Sequence, residues 1–247
     1  MKNSVKRISF FSIRLVIGML LFTGFNLEIK AQEKKMEPSE TKEIVSKVYS
    51  IKDNFVNMFL IQDGENYIAV DAGNDIKAIE NEFKTLQINP DKVIAVLLTH
   101  SDGDHVAALK LFKNATVYLS IDEEQMINGT TNRMKNYHNK IDATKYILLA
   151  DNQTIQILNL KIKGISTPGH TPGSMSYLVS EKYLFVGDAF SLTNGKIDKP
   201  NEVYTDDMKT AILSFVKIAN LPKAEYVFTA HTGYSSDYKN AVNTQLK

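Results

Sequence analysis

The stretch LLTHSDGDHVAAL contains two histidines and two aspartates within six residues. They are His100, Asp102, Asp104 and His105. Imidazole and carboxylate groups together are typical ligands of zinc, iron or manganese. A tight turn at Gly103 lets the residues before and after it point in different directions, so this one short loop can supply two metal ions.

Three further candidate ligands follow apolar runs elsewhere in the chain. His170 follows IKGISTPG, Asp188 closes YLFVGD, and His231 follows YVFTA. Strand ends and the loops after them are where a rigid scaffold presents chemistry. A single histidine there is usually structural, and Asp104 alone would also suit a helix cap, so it is the joint arrangement that favours a metal site. We expect His138, in the polar run NYHNK, to be solvated and without a role.

Short strands and helices must position these residues. Residues 57–73 read as a hairpin around a QDGEN turn, and residues 74–88 have the apolar spacing of a helix. The all-apolar run 93–98 predicts a strand buried on both faces, and residues 115–120 predict another, with DEEQMI starting a helix.

Strands predominate again from residue 145. A helix is predicted over 206–221, with Met208, Ile212, Phe215 and Ile218 on one face, and AEYVFTAH is predicted as the last strand. Residues 129–142 read as a surface loop or an irregular helical insertion, which is either a cover for a substrate or a plain surface segment. Two sets of strands with helices between them predict two packed sheets with helices outside.

The composition is that of a soluble globular protein, since 43% of the 247 residues are hydrophobic and 23% are charged. There are no cysteines, so disulfides and thiolate ligands are excluded. Residues 1–31 hold five of the 29 Lys and Arg and one of the 28 Asp and Glu, which leaves 24 basic against 27 acidic residues. This balance, without a basic run, predicts no nucleic-acid partner.

The N-terminal region differs from the rest. Lys2, Lys6 and Arg7 precede an eleven-residue apolar stretch, 15–25, which is too short for a membrane span of about 20 residues. We therefore predict an export signal over 1–31, with an uncleaved membrane anchor as the alternative. A polar linker over 32–45 and a single domain over 46–247 would follow. The predicted location is periplasmic or secreted, and no oligomeric state is predicted.

The motifs together resemble those of the metallo-β-lactamase superfamily. They are THSDGDH (99–105), STPGHTPGSMSYLV (166–179), LFVGD ending at Asp188, and FTAHTG around His231. The hairpin ending in IAVDAG also looks like the family's N-terminal strands. The resemblance covers about residues 46–247 and implies an α+β fold, the four-layer αββα sandwich, with a dinuclear site at one edge.

The resemblance also implies a role for each ligand-type residue. The first metal ion would take His100, Asp102 and His170, and the second would take Asp104, His105 and His231. Asp188 would bridge the two ions, and Asp71 would support the metal loop from beneath.

Asp102 departs from the family pattern, because most members carry a histidine at that position (HxHxDH). With an aspartate, three carboxylates and a bridging hydroxide neutralise two divalent ions, so the bound water should be less acidic. The harder oxygen ligand also shifts metal preference from zinc towards iron or manganese.

The implied activity is metal-assisted hydrolysis of a small-molecule substrate. A hydroxide held between the metals would attack an ester, lactone, thioester or phosphodiester, with Asp104 orienting it and taking its proton. Two alternatives remain open. One is a carboxylate-rich iron redox protein, and the other is a metal-binding relative of the same fold without catalysis.

Overall fold

The computed structural model describes residues 36–133, 138–143, 145–221 and 224–243. The predicted export signal lies outside these residues. Within the described ranges, no helix is both long and apolar enough to cross a membrane.

Two β-sheets form the centre of the domain. The first sheet has seven strands in sequence order, antiparallel up to the fourth strand and parallel from there on: β1 Lys42–Val45, β2 Val48–Asp53, β3 Val56–Asp63, β4 Asn66–Val70, β5 Val93–Leu97, β6 Thr116–Ser120 and β7 Tyr146–Leu149.

The second sheet has six strands in the order β15-β14-β11-β10-β9-β8, and only β11 and β14 within it are parallel. Its strands are β8 Thr154–Ile157, β9 Leu160–Ser166, β10 Met175–Val179, β11 Tyr183–Phe185, β14 Tyr226–Thr229 and β15 Gly233–Ser235. A separate hairpin pairs β12 Ser191–Thr193 with β13 Lys196–Asp198. The helices are α1 Ile76–Thr85, α2 Gly103–Val106, α3 Glu124–Ile127, α4 Met208–Ala219 and α5 Tyr238–Val242, with 3₁₀ turns at Pro90–Lys92 and Leu109–Leu111.

The alternation of side chains along β3 shows why the sheets stack. Met58 and Leu60 face a core shared with α1, whereas Phe59 and Ile61 face a core shared with the second sheet. Successive strand residues point to opposite faces, so an all-apolar strand is buried on both sides. A third core lies between the second sheet and the helices α4 and α5. The αββα sandwich is therefore confirmed.

The predicted hairpin, helix and buried strand are all present, as β3 with β4, α1 and β5. The structure places Asp75 at the N-cap of α1. The predicted linker over 32–45 is wrong for residues 42–45, which form β1 at the edge of the first sheet. The prediction that AEYVFTAH ends the strands is also wrong, because β15 pairs with β14 after it. β15 is only three residues long and has no apolar run to reveal it.

The predicted face of α4 needs correction. Phe215 and Ile218 are buried as predicted, but Ile212 is 45% exposed, and Ala211 and Ser214 complete the buried face. The helix turns this side inward because Ala211 fits against Gly169, where an added Cβ would come within 2.5 Å of the Ala211 backbone and side chain. A small residue at 211 thus lets α4 approach the loop that carries His170.

We expect Phe59→Ala to lower the free energy of unfolding by about 3–5 kcal/mol, because it opens a cavity between the sheets. The Phe59 ring lies 5.5 Å from that of Phe185 and 5.4 Å from that of Phe228. Chemical denaturation measures the change. Leu213→Ala, at a position 64% exposed, is the control and should change stability by less than about 0.5 kcal/mol. Equal effects of the two substitutions would contradict this packing.

Candidate metal centre

All seven predicted ligand residues lie together at one edge of the sandwich. Four come from the loop and the helix α2 that follow β5, and the other three follow β9, β11 and β14. In chain order they are His100, Asp102, Asp104, His105, His170, Asp188 and His231. Adjacent strand ends of the two sheets therefore converge, as the strand-end positions in the sequence predict.

The first triad is His100, Asp102 and His170. His100 Nε2 lies 3.2 Å from His170 Nε2 and 3.5 Å from Asp102 Oδ2, and His170 Nε2 lies 3.4 Å from the same Asp102 oxygen. A tetrahedral ion with bonds of about 2.1 Å holds its ligand atoms about 3.4 Å apart. The three atoms are thus spaced for a single ion.

The second triad is Asp104, His105 and His231. Asp104 Oδ2 lies 3.6 Å from His105 Nε2 and 3.5 Å from His231 Nε2. Asp188 lies between the triads, with Oδ2 3.1 Å from His231 Nε2 and 3.6 Å from His170 Nε2. Its other oxygen, Oδ1, is 3.5 Å from His105 Nε2.

Two buried atoms of the centre point to bound cations. His105 Nε2 and Asp188 Oδ1 are both inaccessible to solvent, and neither has a hydrogen-bond partner among the described residues. An unsatisfied buried polar atom is costly and rare. Because both atoms face the other ligand atoms, the donor set fits two divalent ions.

Hydrogen bonds behind the histidines set which ring nitrogen faces the centre. His231 Nδ1 lies 2.8 Å from the carbonyl oxygen of Phe55, and His105 Nδ1 lies 2.9 Å from Asp71 Oδ2. A carbonyl or carboxylate accepts, so each Nδ1 carries a proton and Nε2 is the nitrogen that can lose its proton and offer a lone pair to a metal ion. His100 Nδ1 lies 3.0 Å from Thr99 Oγ1, whose hydroxyl donates to Asp71 and can accept from the ring.

Asp71 lies beneath the metal loop, as the resemblance implies. Its Oδ1 accepts from Thr99 N at 2.8 Å, and its Oδ2 accepts from Thr99 Oγ1 at 2.9 Å. The residue follows β4 with a φ of 61°, an uncommon backbone conformation for a residue other than glycine. Asp71 is 3% exposed, so this carboxylate joins the end of β4 to both sides of the loop.

Glu123 supports the loop from another side, although no motif in the sequence marks it. Its Oε1 accepts from the amide and the hydroxyl of Ser101 at 2.8 and 2.6 Å, and its Oε2 accepts from Thr171 Oγ1 at 2.7 Å. Gly173 permits this approach, since a Cβ there would lie 2.1 Å from Glu123 N. The carboxylate thus connects the loops that carry His100 and His170.

Arg133 and Asn139, which no sequence motif marks either, both contact Asp102. Asn139 Nδ2 donates to Asp102 Oδ1 at 2.9 Å, and Arg133 Nη1 donates to Asp102 Oδ2. Both belong to the segment 129–142, of which residues 134–137 are not described. Nothing in the polar run around them distinguishes these two residues. His138, between them in sequence, is exposed.

The histidines and carboxylates of the centre shift one another's pKa values. Burial raises the pKa of Asp188, but His231, His105 and His170 lower it by more, so it falls well below its ordinary value. Burial lowers the pKa of His105, yet Asp104, Asp188 and Asp71 raise it well above the usual range. The pKa of His231 is likewise raised, because Asp188 outweighs burial. Burial lowers the pKa of His170.

A cavity of about 700 Å³ opens over the ligands. Apolar walls come from Met36, Phe55 and Phe190, and polar groups come from the metal centre and Arg133. The Phe55 ring stacks on His231 with centroids 5.8 Å apart. Such a partly apolar cleft above convergent polar groups is typical of a site for a small molecule.

The chain resembles known proteins in both sequence and structure. Residues 51–231 match the family model described as the metallo-beta-lactamase superfamily. The chain is 24% identical over 192 residues to a hydroxyacylglutathione hydrolase of Haemophilus ducreyi. The matched region covers 76% of this chain and 69% of that protein. It is 35% identical over 152 residues to the "Probable polyketide biosynthesis zinc-dependent hydrolase PksB" of Bacillus subtilis. That match covers 58% of this chain and 60% of the relative. The matches thus span about two thirds of these relatives.

Solved structures show the same fold. A subclass B3 metallo-beta-lactamase isolated from a soil metagenome library superposes with a TM-score of 0.62 at 18% identity, covering 79% of this chain and 80% of that one.

We expect Asp71→Asn to weaken metal binding at the second triad by about 10- to 100-fold, because the amide no longer fixes Nδ1 of His105 by charge. Competition with a chromophoric chelator measures the affinity. Asp91→Asn removes an exposed carboxylate remote from the centre and should leave the affinity unchanged. A normal affinity for Asp71→Asn would show that Asp71 does not support the ligands.

Metal affinity should rise as the pH increases from about 6 to 8. His105 and His231 have raised pKa values, so both hold protons further into this range than free histidine, and an ion must displace them. Asp102 and Asp188, with lowered pKa values, are already ionised there and add no dependence.

Metal titration at several pH values, with the released protons counted, tests this dependence. His138→Ala, which removes the exposed histidine, should give the same profile. A flat affinity without proton release would contradict the charge state assigned to the two histidines.

Proposed function

The chain belongs to the metallo-beta-lactamase superfamily as a metallo-hydrolase, and we propose that it is exported and hydrolyses an ester-, lactone-, thioester- or phosphodiester-type bond at a dinuclear metal centre. The observation that carries this proposal is the convergence of seven ligand side chains, two of which present buried atoms with no partner among the described residues. Such atoms would be costly without bound cations.

The two triads and Asp188 would hold two divalent ions. Zinc is the first candidate, and iron or manganese are the alternatives that Asp102 favours. Bound there, the ions would supply a water of lowered pKa as nucleophile and polarise the oxygen under attack. Asp104 is 24% exposed on the side chain and lines the cavity. Its carboxylate orients the attacking water and takes its proton.

The rest of the cavity selects the substrate. Phe55 and Phe190 offer apolar contact, and Asn74 and Ser191 offer polar side chains. This mixture suits a small organic molecule with an acyl or phosphoryl group. One similar protein is named a hydroxyacylglutathione hydrolase, so thioesters come first among the candidates.

Export rests on the sequence of residues 1–31, with its basic start and short apolar stretch. A periplasmic or secreted location follows, with an N-terminal membrane anchor as the alternative. The proposed partner is a small-molecule substrate, and the balance of 24 basic against 27 acidic residues after residue 31 disfavours nucleic acid.

A panel of thioesters, lactones, esters and phosphodiesters tests the activity on protein loaded with zinc or manganese. We expect turnover of at least one class, lost on metal removal and restored by reloading. Asp188→Asn, which keeps the side-chain shape, should lower kcat/KM by about 100-fold or more because it removes the negative charge and one ligand oxygen of the side chain shared by both triads.

Asp91→Asn is the matched control for this loss of one carboxylate and should keep full activity. Turnover that survives complete metal removal would contradict the proposal. Two bound irons with no hydrolysis of any class would instead favour the redox alternative, and bound metal with neither activity would favour the non-catalytic one.

A further inference from the structure

Arg133 occupies an unusual position beside the first triad. Its Nη1 donates to Asp102 Oδ2 and lies 3.1 Å from His170 Nε2. These are two of the three ligand atoms of that triad. The guanidinium is held in place from its other side, where Nη2 donates to the carbonyl of Tyr204 and Nε donates to Asp206 Oδ1 at 3.3 Å.

Arg133 and a metal ion cannot both use His170 Nε2 in this arrangement. An imidazole nitrogen has one lone pair, which either accepts a hydrogen bond or binds a metal ion. A guanidinium stays protonated in proteins, so Nη1 always acts as a donor here. An ion entering the first triad must therefore displace Nη1 from His170.

The positive charge of Arg133 also opposes metal binding in the first triad. The Arg133 side chain is only 11% exposed, so solvent screens it weakly, and it is the only Lys or Arg lining the cavity in the described part of the chain. A fixed positive charge within a few ångströms repels a divalent ion in the first triad. In the described part of the chain, no Lys or Arg forms an ion pair or hydrogen bond with Asp104, His105 or His231, whose ion-pair partners there are one another, Asp71 and Asp188.

We propose that Arg133 is an internal cation that competes with the first metal ion for Asp102 and His170, and that Asp102 stands in the motif to offset its charge. The first triad is then the weaker of the two sites and fills second. This inference rests on the metal centre of the proposed function but not on its substrate.

The pairing explains why an aspartate is found where a histidine is more usual. Asp102 and Arg133 together carry no net charge, as a neutral histidine would. Asn139 holds Asp102 Oδ1, which leaves Oδ2 as the oxygen that faces both Arg133 and the histidines. The two substitutions Asp102→His and Arg133→Gln should therefore depend on one another.

The test measures metal affinity by chelator competition on the full chain, with zinc and with manganese. In a His231→Ala background, which isolates the first triad, Arg133→Gln should tighten binding by at least about tenfold. In a His170→Ala background, which isolates the second triad, it should change affinity less than about twofold. Arg133→Lys keeps the charge and should stay weak, and Lys140→Gln removes an exposed charge of the same segment and should have no effect.

The double substitution gives an independent readout. Asp102→His alone should weaken the first site, because Arg133 then has no carboxylate of the triad to balance it, and adding Arg133→Gln should restore binding. Unchanged or weaker first-site binding in Arg133→Gln would overturn the inference and make Arg133 a support for Asp102. Absence of metal from the parent and all variants would instead overturn the proposed function itself.

Discussion

The centre depends on one buried carboxylate, that of Asp71, at the point where β4 meets the loop after β5. It accepts from the backbone and hydroxyl of Thr99 and from His105 Nδ1, so it fixes both ends of the ligand loop relative to the first sheet. Asp71 carries this contact in a left-handed backbone conformation, with a φ of 61°. Strain of this kind persists only where the surroundings over-determine it, and here they also orient the ligands.

The cost of assembling the ligands explains why cations belong at this edge. Asp188 and His105 are almost wholly buried, and each has an oxygen or nitrogen without a partner among the described residues. The pKa values of the two side chains shift in opposite directions, as expected when charges compensate one another in a poorly solvated place. Divalent ions would provide the same compensation and would satisfy the free lone pairs as well.

The sequence predicts this site better than it predicts the surroundings. His100, Asp188 and His231 lie at the ends of apolar strands, and strand ends of packed sheets meet at an edge. The local sequence pattern is therefore sufficient to predict that these residues come together. Arg133 and Asn139 reach Asp102 from about 30 or more residues away through a polar segment with no periodicity. Such contacts depend on how a loop closes, which side-chain patterns do not encode. The placement of Ile212 on the buried face of α4 is wrong for a similar reason, because the fit of Ala211 against Gly169 decides which side of the helix turns inward.

The most direct test of the account is a crystal structure of the metal-loaded protein with anomalous scattering recorded at the absorption edge of the bound metal. We expect two peaks, one on each side of Asp188. One would lie among His100, Asp102 and His170, and the other among Asp104, His105 and His231. No peak at this edge of the sandwich after loading, or peaks only at other residues, would contradict the central claim that these seven side chains form a dinuclear metal centre.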